Sequence, residues 1–294
     1  MTDPVADAFR TLTQLPVTRN ELDRGGRMLR WIEAGTGTPV VLEAGAMSPA
    51  AAFATVFQGL GPDHRVIAYD RAGYGASDPA PLLTLDLQIS DLIAVLEEVG
   101  PAIVVGHSWG GLLAQLATWE RPDLVCGLVL LDPSHERYWR DDEPMQHPDR
   151  QQPPAADPRL QELLDSAREL ADDVAQHLPE HTTNSTRTAL VDACLSYVRT
   201  DEQLFTYLDE LPMILDHVDE LVAHRAKAVW PPIPVVLLTA TKGRAPEWTP
   251  LVITTQEQVA TECNGRHQVV PDSGHYLQID RPDLVIAAVG EVDG

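Results

Sequence analysis

A serine, a histidine and a carboxylate are the residues in this chain whose types and order suit nucleophilic chemistry. A serine hydroxyl is nearly inert at neutral pH and needs a base within hydrogen-bond reach, oriented by a third group. Ser108 stands in Gly106-His107-Ser108-Trp109-Gly110, a Gly-x-Ser-x-Gly pattern. The apolar run Ile103–Val105 leads into it, and a helix-forming stretch, Leu112–Trp119, follows at once. The pentapeptide alone would also suit a phosphate loop. Strand, sharp turn and helix together make it a nucleophile elbow. Gly106 and Gly110 leave room for the turn, which lifts Ser108 Oγ above the strand end beside the first amides of the helix.

The base is expected at His275, in Val269-Val270-Pro271-Asp272-Ser273-Gly274-His275. It follows the last apolar strand on a loop loosened by Gly274. His107 adjoins the serine, but neighbours on a sharp turn point apart. The acid must come from a strand end between Ser108 and His275. Asp132 fits, since Cys126–Leu131 reads as a strand and Asp132-Pro133 closes it. Glu247 is the alternative, several residues beyond the strand Pro234–Thr239. A tetrahedral intermediate also needs donors for its oxyanion. One is expected from the amide of Trp109. The second is expected from the loop Glu43-Ala44-Gly45-Ala46-Met47, at Ala46 or one position on at Met47. Glu43 reads as structural, because a free carboxylate beside an oxyanion would repel it. The turn from Asp70 to Asp78 reads as a structural loop.

These residues need a scaffold, and the hydrophobic pattern supplies one. Apolar runs at Met28–Glu33, Pro39–Leu42, Arg65–Tyr69, Ala102–Val105, Gly127–Leu131, Pro234–Thr239 and Gln268–Val270 read as strands. Helical patterns fall at Ala50–Gly59, Leu83–Val99, Gly111–Glu120, Gln256–Cys263 and Asp283–Val289. Continuous apolar strands mark a parallel sheet covered on both faces, and the alternation implies right-handed βαβ crossovers. One segment breaks it. Residues 134–229 show only helical pattern and carry 20 acids against 9 bases. They read as a helical cap over a core made of 1–133 and 230–294. Within the cap, helices are expected at Arg159–Leu178, at Ser185–Val198 with Ser185 as cap, and at Asp201–His224 broken by Pro212. Asp141–Pro158, with five prolines and five acids against one base, reads as a loose, mobile loop, in a cap expected to gate substrate entry.

Composition narrows the class. At 294 residues the chain suits one large α/β domain with an insertion. A formal charge of −23 opposes binding to nucleic acid or anionic lipid. Cys126, Cys194 and Cys263 lack metal spacing, and Cys126 is expected to be buried. Their odd number fits a reducing compartment. Without a signal-like start or an apolar run of membrane length, the expectation is a soluble cytoplasmic protein.

Together the loop at Glu43–Met47, the Asp70-Arg71-x-Gly73-x-Gly75-x-Ser77 turn, the elbow and Ser273-Gly274-His275 resemble the α/β-hydrolase superfamily. The resemblance covers about two thirds of the chain and implies an eight-stranded, mostly parallel sheet and hydrolysis through an acyl-enzyme. That family most often carries its acid after the strand matching Pro234–Thr239, and the position after the preceding strand, here Asp132, is its known variant. Relatives with an aspartate nucleophile are disfavoured by Ser108. The expected substrate is a small-molecule carboxylic ester or lactone, with no metal or organic cofactor. Alternatives are an aminopeptidase of the proline-iminopeptidase type, whose substrate amine would suit an acidic cap, or a non-hydrolytic relative: a hydroxynitrile lyase, a perhydrolase or a ligand receptor.

Overall fold

The computed structural model describes residues 4–180, 182–195 and 200–294. Eight strands form one sheet: β1 (Val17–Asp23), β2 (Met28–Ala34), β3 (Pro39–Glu43), β4 (Arg65–Asp70), β5 (Ala102–His107), β6 (Val125–Leu131), β7 (Val235–Ala240) and β8 (Arg266–Val270). Their order is β1-β2-β4-β3-β5-β6-β7-β8. β1–β2 and β2–β4 pair antiparallel, and every pairing from β4–β3 to β7–β8 is parallel. The helices are α1 (Pro4–Thr13), α2 (Ala54–Leu60), α3 (Leu85–Val99), α4 (Ser108–Glu120), α5 (Leu160–His177), α6 (Asn184–Cys194), α7 (Asp201–Asp216), α8 (Val218–Lys227), α9 (Thr249–Glu262), α10 (Leu277–Asp280) and α11 (Pro282–Asp293).

The strands bury both faces because successive side chains alternate across the sheet. Val40, Leu42, Ile103, Val105, Val129 and Leu131 face a core shared with α1, α2 and α11. Val41, Val104, Leu128 and Leu130 face the other, with α3, α4 and α9. The register sets Glu43 opposite Gly106 and His107 opposite Leu131. Three loops therefore leave the carboxyl edge side by side: the segments after Glu43, after His107 and after Leu131.

Some expectations are corrected. The polar edge strand β1 and the helix α1 were not evident in the sequence. Cys126 is exposed rather than buried. The β5–β6 register steps from Ala102↔Val125 to Ile103↔Gly127, so Cys126 is the extra residue of a bulge and turns outward. α6 is capped by Thr183, whose side chain accepts from Thr186 N–H, not by Ser185. The expected extension of that helix to Val198 runs outside the described residues. Pro212 lies within α7, and the break comes at His217. Among the described residues between β6 and β7 there is no strand. The acidic loop 141–158 is tied by polar contacts that its lack of apolar residues concealed. His147 bridges Asp209 and Asp216 of α7, and Arg150 pairs with Asp209 at 2.9 Å.

Candidate active site

Ser108 begins α4 with φ +51°. A Cβ at Gly106 would come within 2.7 Å of Gly110 O, and one at Gly110 within 2.3 Å of Ala44 O. Both glycines are there because strand, helix and neighbouring loop meet at those points. Met47 (φ +54°) and Asp132 (φ +42°) share the left-handed backbone conformation. Three residues beyond the carboxyl ends of β3, β5 and β6 thus hold a geometry that costs on the order of 1–3 kcal/mol each, which clusters at functional sites.

His275 Nδ1 lies 2.6 Å from Asp132 Oδ2. The Asp132 side chain is 1% exposed and that of His275 43%, so the acid is sheltered while the imidazole reaches outward. Asp132 is further held by Arg244 Nη2, and Oδ1 accepts from Ala240 N–H (3.3 Å) and Gln256 Nε2 (3.4 Å). Glu247, the alternative acid, is exposed. Ser108 Oγ contacts Ser134 Oγ at 3.4 Å and makes no hydrogen bond to His275 in this conformation. The pair His275–Asp132 is assembled, and the link from Ser108 to the imidazole is not closed.

His107 packs its ring 4.7 Å from that of His275. Burial, reinforced by His275, holds its pKa well below the usual histidine value. It is therefore neutral, and Nε2–H donates to His275 O at 2.9 Å. His107 thus fixes the backbone of the histidine loop, a role hidden in the sequence because the contact spans 168 residues.

The two expected oxyanion donors differ in their surroundings. Trp109 N–H is among the first amides of α4, out of reach of any carbonyl in its own helix. Met47 N–H donates to Glu210 Oε2 at 2.6 Å, which leaves Ala46 as the amide of that loop not claimed by this carboxylate. Below the loop lies a buried polar network. Arg71 Nη1 donates to Glu43 Oε1 at 2.9 Å, and Nη2 to Gly45 O (2.7 Å) and Glu210 Oε1 (3.0 Å). Tyr69 OH donates to Glu43. Burial raises the Glu43 pKa to about 7 despite Arg71 beside it. Glu43 is therefore structural, as its type and position suggested, and the Asp70–Asp78 turn supplies the guanidinium that braces the loop.

Aromatic side chains pack beside these residues. Trp139 packs edge-on against Trp109 at 6.1 Å between centroids, and Tyr276 lies 5.3 Å from His107. Burial, then the cations Arg225 and Arg137, depresses the His135 pKa to about 3.

A family model described as an alpha/beta hydrolase family matches residues 40–288. The chain belongs to the alpha/beta hydrolase family. Among curated proteins it is similar to Lipase LipV of Mycobacterium tuberculosis, 44% identical over 75 residues, which span 25% of this chain and 29% of LipV. It is also similar to BpoC of the same organism, which carries a non-heme bromoperoxidase name, at 27% identity over 89% of this chain and 95% of BpoC. Among solved structures, the epoxide hydrolase CorEH shares the fold at TM-score 0.61 and 18% identity, covering 94% of this chain and 98% of that one. Other proteins similar to this chain carry esterase and lipase names.

Proposed function

We propose that this alpha/beta hydrolase cleaves a small-molecule carboxylic ester or lactone through a covalent acyl-enzyme on Ser108. The observation that carries the reading is the 2.6 Å contact of a sheltered Asp132 with His275, set beside a serine in strained elbow geometry. In this reading His275 Nε2 takes the Ser108 proton as Oγ adds to the acyl carbon. Asp132 keeps the proton on Nδ1 and stabilises the imidazolium. The oxyanion is received by the Trp109 and Ala46 amides. As the intermediate collapses, the imidazolium protonates the leaving alkoxide. Water, deprotonated by His275, then cleaves the acyl-enzyme and restores Ser108. A rotation of Ser108 Oγ from Ser134 to the imidazole completes the site. Residues 134–229 act as the cap.

The serine distinguishes this chain from relatives that use an aspartate at the elbow. For an aminopeptidase, the deeply buried Glu210 is not the cap carboxylate free to meet an amine, because it already accepts from Met47, Arg71, Tyr74 and Gln88.

The test is turnover of p-nitrophenyl acetate and butyrate beside proline p-nitroanilide, with labelling by a fluorophosphonate probe. Wild-type protein is expected to cleave the esters and to be labelled at Ser108 alone. Ser108→Ala is expected to stay folded and lose on the order of 10³ or more in kcat, since triad members act as a unit. Labelling of another serine, or near-normal turnover by Ser108→Ala, refutes the reading.

A further inference from the structure

We infer that Glu210 is a positioning residue of the oxyanion hole: one carboxylate on α7, in the segment between β6 and β7, holds both of the residues that bear or flank the two donor amides. The inference rests on the acyl-transfer reading above and assigns a role to a residue outside the triad.

The side chain is fully buried, and its two oxygens are saturated by four donors. Oε2 accepts from Met47 N–H at 2.6 Å and from Tyr74 OH at 2.6 Å. Oε1 accepts from Arg71 Nη2 at 3.0 Å and Gln88 Nε2 at 3.0 Å. Three of these bonds lead to the hole, and the fourth, from Tyr74, fixes the carboxylate itself. Met47 follows Ala46 directly, and its positive φ needs a partner to hold it. Arg71 spends the same nitrogen on Gly45 O, so the carbonyl on the other side of Ala46 is gripped as well. Gln88 passes the constraint on, because its Oε1 accepts Trp109 Nε1–H at 2.7 Å, and Trp109 supplies the other donor amide. The peptide units flanking Ala46, together with the Trp109 side chain, are referred to one carboxylate.

Stability alone does not account for such a group. Burying two carboxylates around one guanidinium costs desolvation, and ion clusters of this kind can often be replaced by apolar residues without loss of stability. What a saturated buried carboxylate supplies is direction, since its four acceptor positions fix where Met47, Arg71, Tyr74 and Gln88 point. Met47 and Glu210 are 163 residues apart, so no local backbone requirement creates their contact. The same saturation leaves Glu210 no lone pair for a substrate amine. It follows that the donors are in place when α7 lies down on the loops after β3 and β4.

The experiment compares wild type, Ser108→Ala, Glu210→Gln and Tyr74→Phe. The readouts are kcat and KM for p-nitrophenyl butyrate, and Ki for a trifluoromethyl ketone, whose serine adduct places an oxyanion in the hole. Removing an oxyanion donor outright costs about 10²–10³ in kcat, so misplacing donors through Glu210→Gln is expected to cost about 10–100-fold. KM should stay within about threefold, and Ki should rise in proportion to the loss in kcat/KM. Tyr74→Phe removes one of the four bonds and is expected to cost about three- to tenfold with the same pattern. If Glu210→Gln does not fold, Tyr74→Phe and Gln88→Leu carry the test. Folded variants with unchanged kcat and ketone affinity overturn the inference while leaving the acyl-transfer reading intact. A loss confined to KM also overturns it, by making Glu210 a substrate contact. A wild type without Ser108-dependent turnover overturns both.

Discussion

Replacing Asp132 by Asn tests the site most sharply, because the structure defines what each atom of the new side chain would meet. Oδ2 faces two donors, His275 Nδ1 and Arg244 Nη2. Oδ1 faces two more, Ala240 N–H and Gln256 Nε2. An amide nitrogen placed at Oδ2 would oppose Arg244 and demand an acceptor from His275, forcing the proton onto Nε2, where it cannot take one from serine. Placed at Oδ1 it would oppose Ala240 and Gln256 and still remove the charge. Two unit charges about 4 Å apart interact by about 4 kcal/mol at an effective dielectric near 20, and 1.36 kcal/mol is a factor of ten in rate. The lost charge alone thus predicts about 10³. Serine proteases lose about 10⁴ on the equivalent change, so the expected fall in kcat is about 10²–10⁴-fold with the esters above. Circular dichroism and thermal melting establish that the variant is folded. Glu247→Gln, an exposed site, should leave kcat unchanged. A folded Asp132→Asn protein within about threefold of wild type, or a large loss in Glu247→Gln, would refute the assignment.

Two further outcomes follow from the buried network and the elbow. Glu43 has its pKa raised by burial from 4.5 to about 7, so the fold favours its protonated form. The unfolded chain releases that proton near pH 4.5, and stability from this group is lost as pH rises from there to about 7. At 1.36 kcal/mol per pH unit this amounts to about 3 kcal/mol. Glu43→Gln cannot ionise. Its urea-denaturation stability relative to wild type should improve between pH 5 and pH 8, and parallel pH dependences would exclude the mechanism. Gly45→Ala would bring a Cβ within 2.7 Å of His107 Nδ1 and 3.2 Å of Ser108 Cβ. Neither can swing aside, so the loop must shift, and kcat should fall at least about tenfold in a folded protein. Unchanged kcat would show that this loop does not line the reacting centre.

The central strands were legible because each is a run of β-branched and aliphatic residues buried on both faces, as Ile103–Val105 and Val235–Leu238 show. β1 was not, since only Val17 of its seven residues is buried and its polar sequence has no face to advertise. Ser108 and His275 were legible from local punctuation: glycines before a helix, and a flexible glycine after a strand. The network around Glu210 had no such signal. Its carboxylate stands in α7 beside Asp209, also buried, and nothing in Leu208-Asp209-Glu210-Leu211 separates the acid that meets Met47 from the one that meets His147. That distinction is made by Arg71 and Gln88, 139 and 122 residues away. The Asp70–Asp78 turn was read as structural from its glycines. Its contribution of Arg71 and Tyr74 to the site emerged only when β4 was set beside β3.

The contact of Asp132 with His275 follows from sheet geometry more than from any one strand. β6 and β7 are parallel neighbours with Leu131 opposite Leu238, so their carboxyl ends open onto the same space before His275. Asp132 N–H still donates to Leu238 O at 2.7 Å, which keeps the residue in the sheet while its positive φ turns the side chain back across β7. There it accepts from Ala240 N–H, the last residue of β7, and from Arg244, four residues further on. The end of β7 and the loop after it, where this family more often carries the acid, here supply an amide and a guanidinium that hold the Asp132 carboxylate. A carboxylate added to that loop would therefore compete with Asp132 for Arg244 and crowd a second negative charge against the first. Moving the acid between the two strand ends would require Arg244 and the left-handed backbone at residue 132 to change with it.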